Sequence, residues 1–235
     1  MALTPSLDLP RGHEKRAAVQ SMFDTIAPRY DVLNRLFTAG LDQRWRRETL
    51  DLVSVGAGDT VLDVACGTGD LLELAEARGA AGVGLDFAGG MLAAGRRRLP
   101  SCRFVQGDAA ALPVPDAAVT VVTCGFAFRN FVDLPRVMAE FARVLAKDGR
   151  LAVIDVDRPG SRLVRAAHSA YFDRVVPWIG GLLSDRDAYA YLPRSTAYLP
   201  EADVLRRQLE DAGFADVVRR TLLLGTAQIW TARRA

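Results

Sequence analysis

The residues best suited to bind a ligand form a glycine turn that follows a short apolar segment. Gly67 and Gly69 allow the backbone to approach a bound molecule closely, and the helix expected after them adds free N–H groups in its first turn. A dinucleotide-binding turn would carry a third glycine three residues later, where this chain has Leu72. Asp63 and Asp70 flank the turn, so a pyrophosphate would be repelled and a cationic ligand favoured.

Two further acids follow the next apolar segments along the chain. Asp86 comes directly after Gly84 and Leu85, and a carboxylate at that strand end suits the two hydroxyls of a ribose. Asp108, followed by Ala109, stands after the third segment, where it can accept a hydrogen bond from an adenine amino group. Each piece alone is also typical of a tight turn or a solvated cap. Together, and in this order, they indicate a phosphate-free nucleoside with a positive charge, and S-adenosylmethionine (SAM) has these properties.

An alternation of buried strands and helices is needed to bring these residues together. Continuous apolar strands separated by amphipathic helices predict an open, mostly parallel sheet covered on both faces, an α/β, Rossmann-like fold. The last two strands are too close in sequence for a parallel crossover, so the last strand is expected to run antiparallel. The seven expected strands are residues 60–64, 82–85, 103–106, 119–123, 150–156, 215–223 and 226–232, and the expected helices around them are 71–78, 90–98, 134–145 and 201–212.

The pattern indicates one domain with two helical additions. Pro28 and Gly40 divide the N-terminal helical region into at least three pieces. An insertion after the fifth strand contains Gly180 and Gly181, which favour a mobile lid over the alternative of a helix pair packed on the sheet edge. The expected boundaries are a flexible N-terminus at 1–13 and a single domain at 14–235, including a helical cap at 14–55 and the insertion at 161–195.

Composition and charge exclude several classes of protein. Thirty basic against 28 acidic residues give a net charge of +2, which predicts no special attraction to nucleic acid or to anionic lipid. The three cysteines show no CxxC spacing, so neither disulfides nor a metal site is expected. We find no charge-free run of membrane-spanning length and no secretion signal. The expected location is the cytoplasm, with peripheral contact at the inner face of the membrane left open.

Three stretches resemble a known family. The sequence resembles a class I SAM-dependent methyltransferase of the family that C-methylates prenylated quinone precursors in menaquinone and ubiquinone biosynthesis. The resemblance implies that SAM is the methyl donor and that a prenylated quinol is the acceptor, so that demethylmenaquinol is converted to menaquinol. It does not decide whether the protein forms a homodimer. The stretches that carry it are FDTIAPRYD at 23–31 with Asn34 and Trp45-Arg46-Arg47, GFAFRNFVD at 125–133, and YLPRS at 191–195 with EDAGF at 210–214.

The resemblance also implies which residues contact each substrate. The acceptor is expected to face residues 126–133, with Arg129 and Asn130 at the reacting end. No metal ion is expected in this site. The expected SAM contacts are Asp63, Gly67, Thr68, Gly69, Asp86, Phe87, Asp108, Ala109 and Gly125.

The chemistry assigns candidate roles to the polar residues near the acceptor. A quinol ring carbon becomes nucleophilic when an adjacent phenol, with a pKa of about 10, is deprotonated. Arg129 is the first candidate to stabilise the phenolate, the alternative being an ion pair with Asp133 four residues on. Asn130 either orients a hydroxyl or caps a helix. Tyr30 either closes over SAM or packs between helices.

The remaining basic and nucleophilic side chains are weaker candidates. His13 lies in the expected loose end and is set aside as a general base. His168, in the insertion, is a candidate base whose alternative is a packing or surface role. Cys66 and Cys124 flank the expected SAM site and are interpreted as small fillers of the interior.

Three departures from the family pattern bear on the acceptor. Asp42 stands where members commonly carry histidine, residues 155–159 read DVDRP where many read Glu-Phe-x-Lys-Pro, and Phe128 replaces a smaller aliphatic residue. They motivate an alternative, C- or O-methylation of another hydrophobic small molecule such as a polyketide or a different quinone. Two other classes are considered: a SAM-binding module without catalysis, expected to have a damaged acceptor segment, and a nicotinamide-dependent dehydrogenase, expected to have the third glycine.

Overall fold

The sheet is the centre of the molecule. A computed structural model describes residues 12–159 and 195–235, and within them seven strands form one sheet in the order β3-β2-β1-β4-β5-β7-β6. The first five strands are parallel to one another, whereas β7 runs antiparallel to both β5 and β6. The predicted fold class is confirmed. The strands are β1 (Thr60–Val64), β2 (Ala81–Asp86), β3 (Arg103–Gln106), β4 (Val119–Gly125), β5 (Leu145–Val156), β6 (Phe214–Leu222) and β7 (Ala227–Arg234).

Both faces of the sheet are covered because side chains alternate along each central strand. Leu62 and Val122 pack with helices α6 and α7, while their sequence neighbours Val61 and Val121 pack on the other face with α3 and α4. Each fully buried apolar side chain of this kind contributes about 1.5–3 kcal/mol. The helices are α1 (Gly12–Ile26), α2 (Tyr30–Phe37), α3 (Leu41–Leu52), α4 (Asp70–Glu76), α5 (Gly89–Arg98), α6 (Leu134–Val144) and α7 (Ala202–Asp211).

The N-terminal region folds into three helices that break where the sequence predicts. Pro28 lies between α1 and α2, and Gly40 precedes α3 with a φ of 76°, a left-handed conformation that favours glycine. Helix α1 already begins at Gly12, so His13 is helical and does not belong to a loose end. The helix therefore begins two residues earlier than the sequence suggests.

Helices α1 and α2 dock on the loop that follows β2. Ile26 and Leu33 form an apolar cluster with Met91 of α5, all three almost fully buried. The Asp24 carboxylate accepts a hydrogen bond of 2.7 Å from the backbone N–H of Gly90. A Cβ at Gly90 would lie 2.9 Å from that carboxylate, so the glycine permits the close approach of α1.

Two regions differ from the expectation or lie outside it. Strand β5 begins at Leu145, which pairs with Val119, before an irregularity in which Asp148 has a φ of 61° and the predicted strand resumes at Arg150. The predicted lid at 161–195 and its candidate base His168 lie outside the described residues, apart from Ser195 at the end of that range. Among the helices that are described, none is long and apolar enough to cross a membrane.

Candidate active site

A cavity of about 320 Å³ lies at the carboxyl ends of the first four strands. In a parallel sheet these ends share one edge, so loops that are far apart in sequence meet there. Helix α1 and the segment after β4 close the other sides. The strand loops contribute Ala65, Gly67, Asp86, Phe87, Gly107, Asp108, Ala109, Gly125, Phe126 and Ala127 to the wall.

Asp86 organises the glycine turn. Its carboxylate accepts hydrogen bonds from the backbone N–H groups of Gly67 at 2.8 Å and of Ala88 at 2.9 Å. Burial, the largest influence, raises the pKa of Asp86 to about 6 although these hydrogen bonds favour the charged form. Asp86 is thus both a cavity-lining carboxylate, as predicted, and the group that links the turn after β1 to the end of β2.

A small recess of about 20 Å³ adjoins the cavity, since Tyr30, Ala65, Gly67 and Gly125 line both. The predicted contacts Asp63 and Thr68 lie in this recess and not on the wall of the larger cavity. The recess is also lined by Arg46, Cys66, Asp70 and Leu71.

The two residues of the recess that were predicted to contact SAM form hydrogen bonds with other side chains of the protein. The Asp63 carboxylate accepts a hydrogen bond of 2.8 Å from the Thr123 hydroxyl, and burial raises the pKa of Asp63 to about 7. The Thr68 hydroxyl donates to Asp31 of α2 at 2.6 Å. Gly69 lines neither space; a Cβ there would lie 3.0 Å from the Phe104 ring, so its place in the turn is structural.

The loop after β3 places Asp108 and Ala109 on the wall of the cavity that Phe87 also lines. One carboxylate oxygen of Asp108 accepts the backbone N–H of Ala110 at 3.0 Å. The other meets the Arg16 guanidinium of α1 at 2.7 Å. Both side chains are over a third exposed, so the pair contributes at most about 1 kcal/mol.

Arg129 does not line the cavity. Its guanidinium forms a buried ion pair with Asp155 and donates to the backbone carbonyl of Phe126 at 2.7 Å and to the Ser195 hydroxyl at 3.0 Å. The prediction that Arg129 stabilises a phenolate does not agree with the structure, because the Asp155 carboxylate already neutralises the guanidinium. The alternative partner, Asp133, is also wrong: that carboxylate accepts the backbone N–H of Arg136 at 3.1 Å and caps α6.

Asn130 and Tyr30 both line the cavity, and their roles toward the substrates stay predictions. The cap of α6 is Asp133, so the helix-cap alternative for Asn130 is wrong. Burial raises the pKa of Tyr30, which keeps its phenol neutral and able to donate a hydrogen bond. Tyr30 also makes an edge contact with Phe23, the ring centroids lying 5.8 Å apart.

Sequence reasoning missed the contribution of α1. Among its side chains that line the cavity are His13, Arg16 and Phe23. Lys15, buried behind them, donates to the backbone carbonyls of Arg129 at 2.9 Å and Phe131 at 2.7 Å, and burial lowers its pKa to about 8. The sequence predicts a helix from residue 14, but nothing in its pattern indicates that this helix lines a cavity with the loops after the strands.

The family comparison agrees with this geometry. Residues 11–234 match the model of the ubiE/COQ5 methyltransferase family. The chain belongs to that family. It is 45% identical to "Demethylmenaquinone methyltransferase" of Thermus thermophilus, over 88% of this chain and 97% of that one. It is 39% identical to "Ubiquinone/menaquinone biosynthesis C-methyltransferase UbiE" of Geobacter sulfurreducens, over 94% of this chain and 90% of that one.

A solved structure shares the fold at low sequence identity. A SAM dependent methyltransferase from Aquifex aeolicus superposes with a TM-score of 0.59 at 17% identity, covering 81% of this chain and 89% of that one. Since unrelated functions share such folds, this likeness shows the fold alone. The conclusion that the chain is a methyltransferase therefore rests on the family match.

The structure shows the contacts of the residues that differ from the family pattern. Phe128 packs against Phe131 and Phe141, with ring centroids 5.9 and 6.2 Å apart, and it is almost fully buried. It does not line the cavity, so this departure does not shape the space for a substrate. Asp42, also buried, accepts the Thr38 hydroxyl at 2.8 Å. In this methyltransferase Asp155 serves Arg129 and not the cavity.

Cys66 and Cys124 behave as the predicted fillers. Both are buried, and burial raises the pKa of both thiols well above the ordinary value, so neither is a thiolate nucleophile. The Cys66 sulfur lies 2.8 Å from where a Cβ of Gly84 would stand, which shows how tightly the thiol occupies the space beside β2.

Proposed function

We propose that this methyltransferase transfers the methyl group of SAM to a ring carbon of a prenylated quinol, converting demethylmenaquinol to menaquinol. One observation carries the proposal: most of the residues expected to contact the donor line one cavity together with Phe126, Asn130 and Phe131 of the segment expected to face the acceptor. The curated relatives named for demethylmenaquinone support the acceptor assignment. The combination supports a reaction in which both substrates are held in one enclosed space.

The residues of the cavity fit SAM. Its volume of about 320 Å³ lies within the range of about 300–1,000 Å³ that is usual for small-molecule sites. Asp86 and Asp108 stand at the ends of neighbouring strands, where they can accept hydrogen bonds from a ribose and an adenine. Asp63 in the recess can accept a hydrogen bond from a positively charged group of the ligand. When bound, SAM supplies a methyl group on a sulfonium that is already activated for transfer.

The acceptor side of the cavity suits a ring with an apolar tail. Phe126, Phe131 and Val137 line it, and Val132, half-exposed, lies where the cavity meets solvent. We propose that the ring enters beside Asn130 and that the prenyl tail leaves across Val132. Asn130 is buried at this end of the cavity, so a ring bound beside it would be shielded from solvent on that side.

The chain's own residues must orient the quinol and accept a phenolic proton. Tyr30 and Asn130 can donate hydrogen bonds to quinol oxygens from the cavity wall. His13 lines the cavity too, and an imidazole is the side chain that most often acts as a general base. This position restores His13 as a candidate base on structural grounds.

We also propose that α1, α2 and α3 act as the cap expected for residues 14–55, because α1 lines the cavity and Lys15 ties it to the acceptor segment. The lid at 161–195, a homodimer and contact with a membrane surface stay predictions.

The test is methyl transfer with the purified protein. We expect methyl-labelled SAM and a short-chain demethylmenaquinol to yield menaquinol carrying the label on the ring carbon, measured by mass spectrometry with fragmentation. The oxidised quinone, which lacks a nucleophilic ring, and menaquinol, whose ring carbon is already methylated, are matched controls. Label on an oxygen, or transfer only to a polyketide or another quinone, would replace the proposal with the alternative acceptor.

A further inference from the structure

The Nε of Arg46 is a buried donor for which the described residues supply no hydrogen-bond partner. Its side chain is 7% exposed, and its Nε makes no hydrogen bond with any residue in 12–159 or 195–235. The nearest carboxylate oxygens belong to Asp70 at 3.5 Å and Asp42 at 3.8 Å. Burying a guanidinium without a close partner is costly, so the arrangement needs a reason beyond packing.

Both neighbouring carboxylates are engaged by other groups. Asp70 meets the guanidinium of Arg98 at 2.8 Å and accepts the side-chain amide of Gln43 at 3.1 Å. Asp42 accepts the hydroxyl of Thr38 at 2.8 Å. These carboxylates hold α2, α3 and α4 together and offset the charge of Arg46 at a distance. They leave its donors available to an additional anionic group.

The donors of Arg46 face the recess that opens into the cavity. Arg46 lines the recess, and its Nη1 lies 2.9 Å from where a Cβ of Gly125 would stand. The guanidinium therefore lies against bare backbone at a position expected to contact SAM, with the Phe126 ring centroid 5.1 Å away. Because one water needs about 10–15 Å³ by this measure, a recess of about 20 Å³ has room for a polar group of about the size of one carboxylate oxygen.

We propose that Arg46 binds the carboxylate at the amino-acid end of SAM, while Asp63 across the recess accepts a hydrogen bond from its ammonium group. The inference rests on the proposed use of SAM and assigns a role to the second residue of Trp45-Arg46-Arg47. A guanidinium offers a planar pair of donors that matches a carboxylate, and a buried pair of this kind is strong. Donor recognition thus extends beyond the nucleoside to the zwitterionic end.

Three adenosine compounds distinguish this role from a structural one. S-adenosylhomocysteine carries both the carboxylate and the ammonium, its decarboxylated analogue carries only the ammonium, and methylthioadenosine carries neither. Isothermal calorimetry with each compound measures binding to the wild-type protein and to Arg46→Gln, Arg46→Lys and Arg47→Gln. Arg47 is exposed on the same helix, so it is the matched control.

We expect Arg46→Gln to weaken S-adenosylhomocysteine binding by about 10- to 100-fold and to change methylthioadenosine binding by less than about threefold. Arg46→Lys should retain part of the affinity, and Arg47→Gln all of it. The wild-type protein alone should prefer S-adenosylhomocysteine over the decarboxylated analogue by a similar factor, a result that does not depend on any variant folding.

The outcomes separate this inference from the proposed function. Equal affinity of the wild-type protein for the carboxylated and decarboxylated compounds overturns the role of Arg46 while leaving SAM use intact. Equal weakening of all three compounds by Arg46→Gln also overturns it, because a structural defect would act on the nucleoside as well. Failure of the wild-type protein to bind any of the three refutes the proposed function itself.

Discussion

The buried ion pair between Arg129 and Asp155 predicts a large and non-additive loss of stability when either partner is removed. Both side chains are less than a tenth exposed, and the pair joins the segment after β4 to the end of β5. Replacing Asp155 with asparagine would leave the guanidinium buried without its counter-charge. Breaking a buried pair in this way costs about 3–5 kcal/mol.

The contacts of Arg129 set the size of the second perturbation. Arg129→Met removes the donor to Asp155 and also the hydrogen bonds to Phe126 and Ser195. Both hydrogen bonds have a charged donor, so we expect the loss to reach at least the upper end of the range, about 5 kcal/mol. In the double variant neither charge remains, and the loss should be smaller than the sum of the two single losses by about 2–3 kcal/mol.

Urea denaturation followed by circular dichroism measures these free energies of unfolding. Glu201→Gln is the matched control, because its partner Arg158 is 44% exposed and Glu201 itself 81% exposed; we expect a change below about 0.5 kcal/mol. Strictly additive losses for Arg129→Met and Asp155→Asn, or a loss below about 1 kcal/mol for Asp155→Asn, would refute the conclusion that a buried charge pair positions this segment.

Three further predictions concern the donor side and the helices. Because the pKa of Asp86 is raised to about 6 from its ordinary 3.8, the folded protein retains a proton that the unfolded chain has lost. The contribution of Asp86 to the free energy of unfolding should therefore fall by about 2 kcal/mol as the pH rises from about 4 to 6, and Asp86→Asn should reduce the slope of stability against pH by that amount in denaturation curves. Gly82→Ala should cost about 1–3 kcal/mol, since the added Cβ would lie 2.3 Å from Leu72, whereas Gly56→Ala, which meets open space, should cost nothing in the same thermal melts. Asp133→Ala removes the cap of α6 and should cost about 1 kcal/mol; an unchanged melting temperature would contradict that assignment.

Much of the fold could be predicted because local pattern and tertiary burial agree. Strands β1 and β3 have the expected bounds, and the breaks at Pro28 and Gly40 occur where proline and glycine chemistry requires them. The position of Asp86 and Asp108 on one wall also follows from sequence, since carboxyl ends of parallel strands must share an edge. These features depend on periodicity and chain connectivity, which a sequence displays directly.

By itself, then, the sequence determined the order of strands and helices, the glycine turn and the carboxylates beside it. Only the tertiary structure decided the partners of the charged residues. The sequence suggested an ion pair between Arg129 and Asp133, four residues away, but the pairing of β4 with β5 places Asp155 beside Arg129 instead. Lys15 and Arg46 were equally out of reach, because their partners and the recess come from packed helices. Burial strengthens such ion pairs between residues far apart in sequence, and no periodic pattern along the chain predicts which residues will form them.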